Sequence, residues 1–136
     1  MKTFGGKFLL AALAVLLALA AHAPAQKKSK KQEPTTGAIS GRVRVAPGAT
    51  PGGVAVTVRR GDEEVTRRET NSKGEFEFQG LEPGTYGLTF ATGDWFAAAR
   101  RETFYPSIQL VVDLGGPHTH VALLLSPFSY TTYKGS

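Results

Sequence analysis

The sequence predicts an all-β domain, a sandwich or barrel of short antiparallel strands. Two observations carry this: from Ile39 onward apolar residues recur with period two rather than 3.6, and turn-forming residues interrupt the pattern every eight to twelve positions. No cysteine is present. Disulfides, thiolate metal sites and a lipidated amino-terminal Cys are thereby excluded, and the domain must rest on its apolar core.

Ahead of the domain, Lys2 and Lys7 precede an uninterrupted apolar run from Phe8 to Ala21, followed by Ala23-Pro24-Ala25 and Gln26. This is the charge, apolar and small-residue order of a secretory signal, with cleavage expected after Ala25. The run of 14 residues is shorter than the ~20 that span a hydrocarbon core. The expected division is a signal peptide at 1–25 in helical form, a basic flexible tail at 26–36, the domain at 37–126 and an aromatic tail at 127–136. The mature protein is expected to be exported to a periplasm or beyond it, neither lipid-anchored nor held by a membrane span.

The formal charge of +5 resides outside the domain. Lys27, Lys28, Lys30 and Lys31 lie in the tail, whereas 37–126 holds eight Arg and one Lys against ten acids, a net −1. A basic nucleic-acid face is not supported.

In chain order, a first strand is read over Ala38 to Val45 with Ile39, Val43 and Val45 inward, and the Pro47 to Gly53 stretch as a loop. Val54, Val56 and Val58 line a second strand, Gly61-Asp62 turns into a third near Glu64 to Thr70, and Asn71 with Gly74 forms the next turn. Phe76 and Phe78 alternate with Glu75, Glu77 and Gln79, so both rings enter the core. Glu82-Pro83-Gly84-Thr85 reads as a type II turn into a strand from Tyr86 to Ala91. A strand is expected between Trp95 and Phe104, and a last one through Val121, Leu123 and Leu125.

Gly37, Ile39, Gly41 and Val43, followed by Thr70, Asn71, Gly74, Phe76, Phe78, Leu81, Pro83, Gly84 and Tyr86, form a pattern that resembles the carboxypeptidase regulatory-like domain family. The resemblance covers about Gly37 to Ser126. It implies a prealbumin-like Greek-key β-sandwich of about seven antiparallel strands, similar also to starch-binding and adhesin sandwiches, and an accessory, non-catalytic module. Such adhesins can carry a lysine–asparagine crosslink. Here the only lysine and the only asparagine between Gly37 and Ser126 are Lys73 and Asn71, in one turn, which excludes it.

His118 and His120 flank Thr119 on the last strand and project to one face, about 7 Å apart by strand rise. A metal site needs a third protein ligand that the pattern does not supply, so no metal and no cofactor are expected. Seven serines are scattered, none in a Gly-x-Ser-x-Gly turn, and no nucleophile–base set is visible. The expectation is therefore not an enzyme but a module for an unknown protein or surface partner. Two alternatives stand beside it. One is a carbohydrate-binding module, with a polysaccharide stacking on Trp95 and Phe96 and bonding Asp94 and Arg100. The other is an envelope-associated structural protein using the lysine tail. The carboxy-terminal stretch either packs along the sandwich or adds to a partner's edge strand.

Overall fold

The computed structural model describes residues 35–49 and 51–135. The signal and its cleavage residues Ala23, Ala25 and Gln26, with the lysines of the tail, lie outside the described residues. The elements, in order, are β1 (Gly37–Val45), β2 (Ala55–Arg60), β3 (Glu63–Glu69), β4 (Glu75–Leu81), β5 (Gly84–Phe90), α1 (Thr92–Ala98), β6 (Ile108–Leu114), β7 (His118–Ser126) and β8 (Ser129–Gly135). They form two four-stranded sheets, β4-β1-β7-β8 and β3-β2-β5-β6, packed as a prealbumin-like sandwich.

Period-two alternation fills the space between the sheets. One sheet contributes Ile39, Val43, Phe76, Phe78, Val121 and Leu123, and the other contributes Val56, Val58, Tyr86, Leu88, Phe90 and Ile108, all buried. Each such aliphatic or aromatic side chain stabilises by about 1.5–3 kcal/mol relative to exposure. Phe76 meets Phe90 across the sheets edge to face, with centroids 5.6 Å apart. The complementary positions of β1, Ser40, Arg42 and Arg44, lie on the outer face.

Polar groups fix the corners. Buried Thr70 donates its hydroxyl to the Pro51 carbonyl (2.6 Å) and accepts the Val54 amide (2.9 Å), tying the loop after β1 to the β3–β4 turn. In that turn Asn71 Oδ1 accepts the amides of Lys73 and Glu75, each at 2.9 Å. Gly74 has φ 77° and abuts the Val43 carbonyl, so a side chain there is opposed by both conformation and contact. The Glu82-Pro83 step proves to be a corner that carries the chain from one sheet to the other. Tyr86 Oη donates to the Glu82 carbonyl at 2.5 Å, and Arg60 donates to the Pro83 carbonyl at 3.1 Å.

Three expectations are corrected. The segment read as a strand beyond Trp95 begins instead as the helix α1. Thr92 and Phe96, four residues apart, are its buried residues, and alanines follow, a pattern of helical period. Arg100 at φ 58° ends it, its amide on the Ala97 carbonyl and that of Arg101 on the Phe96 carbonyl, both at 2.9 Å, the bonds of a Schellman closure. The carboxy-terminal stretch, set apart from a seven-stranded domain as a tail, packs along the sandwich, the first of its two expected placements, and does so as an eighth strand paired antiparallel with β7 from Ser126↔Ser129 to His120↔Gly135. Finally, the strands are not all antiparallel, because β1 pairs with β7 in parallel over Ala38↔His118 to Val45↔Leu125.

Candidate active site

The parallel β1–β7 pair brings together residues that no local motif could connect. Ser40 lies opposite His120 on one side and Glu77 on the other, and His120 lies opposite Gly135. One row across the sheet's outer face therefore reads Glu77, Ser40, His120, Gly135. The adjacent row reads Glu75, Arg42, Ala122, Tyr133. Ser40 Oγ stands 2.7 Å from His118 Nε2 and 3.1 Å from His120 Nδ1, and the two imidazole centroids are 6.4 Å apart.

Two glycines shape the site, Gly135 in this row and Gly41 beside Ser40. At Gly41 a Cβ would overlap the Val121 carbonyl and the Phe76 ring, so the strand between Ser40 and Arg42 lies tight against the core. At Gly135 a Cβ would stand 2.5 Å from His120 Cδ2, so the imidazole occupies the space a side chain would take. Arg42 donates to Glu75 Oε2 at 2.5 Å, and Asn71 Nδ2 donates to Oε1 of the same carboxylate at 3.2 Å. The Arg42 hydrogen bond first, and then that of Asn71, hold the Glu75 carboxyl below its ordinary range.

His120 is the common wall of three depressions. One, of about 390 Å³, is lined by Ser40, Arg68, Glu75 and Glu77. A second, about 370 Å³, has Arg42 and Arg44 above Ala122, Leu124 and Tyr133. The third, about 490 Å³, lies between Leu110 to Asp113 and Thr132 to Lys134. The arrangement offers an imidazole fixed through one nitrogen, neighbouring cations and partly apolar walls, the parts needed for general acid–base chemistry on a small polar molecule. Among the described residues no group of three or more His, Asp or Glu could hold a metal ion.

The residues expected to contact a ligand are placed elsewhere. Phe96 is fully buried in the core. Trp95 stacks edge to face on it at 5.2 Å and donates Nε1–H to the Gly52 carbonyl at 3.1 Å. Asp94 is exposed in the first turn of α1, and Arg100 is exposed at its end. Asp94 and Trp95 border a separate depression with Gly52, Arg67 and Glu69. Thus the four do not assemble with His120. Conversely, the Ser40, His118 and His120 cluster was missed as a unit. Its one sequence signal was the His-x-His spacing, which leaves the partner strand unnamed.

The family model "HIUase/Transthyretin family" matches residues 43–135. A probable 5-hydroxyisourate hydrolase of Caenorhabditis elegans is 33% identical over 112 residues, 74% of this chain and 83% of the relative. One from Schizosaccharomyces pombe is 36% identical over 78 residues, 53% of this chain and 63% of that protein, less than two thirds of its length. Among solved structures, 5-hydroxyisourate hydrolase of Klebsiella pneumoniae superposes with a TM-score of 0.68 at 31% identity, covering 74% of this chain and 94% of the other. Transthyretin of Sparus aurata superposes at 0.64 and 28% identity, covering 71% and 95%.

These likenesses overturn three expectations. The expectation of a non-catalytic accessory module is overturned, because the relatives bear the names of hydrolases. The carbohydrate-binding alternative falls with it, since the relatives are named for a different chemistry and the Trp95 indole is engaged by Phe96 and Gly52. The carboxypeptidase regulatory-like resemblance rested on turn glycines and paired phenylalanines, which serve the sandwich as such and do not separate one sandwich family from another. With 43–135 matched and the hydrolase fold reproduced, the chain belongs to the HIUase/transthyretin family.

Proposed function

We propose that this protein is a hydrolase of 5-hydroxyisourate, and that the outer face of the β4-β1-β7-β8 sheet is its active site. The observation that carries the reading is the placement of His120. Its Nδ1 is engaged by Ser40 and its ring borders three depressions, so Nε2 is the nitrogen left for chemistry. The substrate class comes from the names of the relatives.

In this reading His120 Nε2 takes a proton from water as the water oxygen adds to a ring carbonyl of the substrate. Arg42, anchored by Glu75, lies two residues from Ser40 on the same face, about 7 Å along the strand. Its guanidinium supplies positive potential for the oxyanion that forms. The carbon–nitrogen bond then breaks, and the leaving nitrogen takes the proton held on His120 Nε2. One water is consumed, and a carboxylate and a free amide or amine nitrogen are produced. Purified protein given freshly generated 5-hydroxyisourate is expected to accelerate loss of its ultraviolet absorbance. A rate equal to the buffer blank would refute the reading.

We also propose, from Lys2, Lys7, the apolar run 8–21 and the Ala23-Pro24-Ala25 step, that the enzyme acts after export.

A further inference from the structure

We propose that Ser40 is a proton relay between His120 and His118. This rests on the hydrolase reading and adds a place for the positive charge that the base acquires. A hydroxyl carries a single hydrogen, so of two flanking ring nitrogens it donates to at most one, and it can then accept from the other. Ser40 Oγ is within hydrogen-bond distance of both His118 Nε2 (2.7 Å) and His120 Nδ1 (3.1 Å). With Ser40 donating to one ring and accepting from the other, the tautomers of the two rings are coupled.

The two ends differ in exposure. His120 is half-buried beneath the depressions, whereas His118 is exposed. For His120 to present an unprotonated Nε2 to water it must carry its hydrogen on Nδ1, and that hydrogen then points at Ser40. Ser40 in turn donates to His118 Nε2, which leaves His118 with its hydrogen on Nδ1. When His120 Nε2 takes a proton from water, the Nδ1 proton moves to Ser40 Oγ as the Ser40 hydroxyl proton moves to His118 Nε2. One O–H bond of water breaks and one N–H forms on His120. A second N–H breaks there, the serine exchanges one hydrogen for another, and the positive charge ends on His118. It is held there until the leaving nitrogen takes the Nε2 proton of His120, when the two relay protons return and the starting tautomers are restored. Ser40 is a positioning residue in this scheme, since it touches the base and not the substrate.

The test reads ring protonation directly, by long-range ¹H–¹⁵N correlation of the imidazoles in the full chain, beside turnover of 5-hydroxyisourate. Both His118 and His120 are expected as the Nδ1–H tautomer, the minor one for histidine in water. Ser40→Ala should return His120 to a mixture dominated by Nε2–H and lower kcat by about 10- to 100-fold with KM little changed. Ser40→Thr, which keeps the hydroxyl, should restore both. An Nε2–H His120 in the wild-type protein would overturn the relay. So would unaltered kcat in Ser40→Ala, or an acyl adduct on Ser40, which would make it a nucleophile. Expected tautomers in a wild-type protein that does not hydrolyse the substrate would support the coupling and overturn only the hydrolase reading.

Discussion

His120 and Gly135 face each other across the β7–β8 pairing, and the imidazole fills the volume that a side chain at 135 would need. The last residues of the described chain thereby set the position of the His120 ring. Gly135→Ala places a methyl group 2.5 Å from His120 Cδ2, so the ring must rotate or shift off Ser40. Because small misplacements of a reacting group are costly, kcat should fall by about 100-fold. Stability should change little, since β8 is an edge strand. Steady-state kinetics beside a urea melt checks both.

Gly41, the neighbour of Ser40, faces the core between Phe76 and Val121. Its substitution should act through stability rather than turnover, because Gly41→Ala drives a methyl group into the Val121 carbonyl and the Phe76 ring. Overpacking of this kind costs about 1–3 kcal/mol. A urea midpoint lowered accordingly, with kcat of the folded fraction largely retained, is expected.

Acid should loosen the Arg42–Glu75 pair in a defined direction. Glu75 is held below its ordinary range by Arg42 and then Asn71. A depressed carboxyl contributes stability that is present above its unfolded value, about 4.3, and is lost as pH falls through its folded value. The deficit of Glu75→Gln relative to the wild type should be constant between about pH 6 and 8 and shrink below about pH 4. The side chains are 37% and 40% exposed, so the effect is small and falls further with salt.

Export makes a separate prediction. Cell fractionation should find the protein outside the cytoplasm with Gln26 as its first residue. A chain beginning at Met1 in the cytoplasmic fraction would contradict it.

Much of the sandwich could be read from sequence because its signals are local. Ile39, Val43 and Val45 alternate with polar residues, as do Phe76 and Phe78, and the structure buries all five. Asn71 and Gly74 turn the chain where their backbone preferences require. The helix at Thr92–Ala98 was obscured because seven residues give barely two turns of periodicity beside aromatic residues that also suit strands. The site was obscured for a different reason. Ser40 and His118 are 78 residues apart, and only the parallel register of β1 on β7 joins them. His-x-His marks one wall of such a site, but long-range strand pairing carries no local signature. Arg42 and Glu75 likewise read as surface charges until β1 and β4 align them.

The central claim is that His120 is the base of a hydrolase. Its most direct test is turnover of 5-hydroxyisourate by the full chain and by His120→Gln, which preserves approximate size and removes the base. The wild type should hydrolyse the substrate well above the spontaneous rate, and the variant should lose about 100-fold or more of kcat while keeping its fold. Equal rates for the two proteins, or a wild type no faster than buffer, would contradict it.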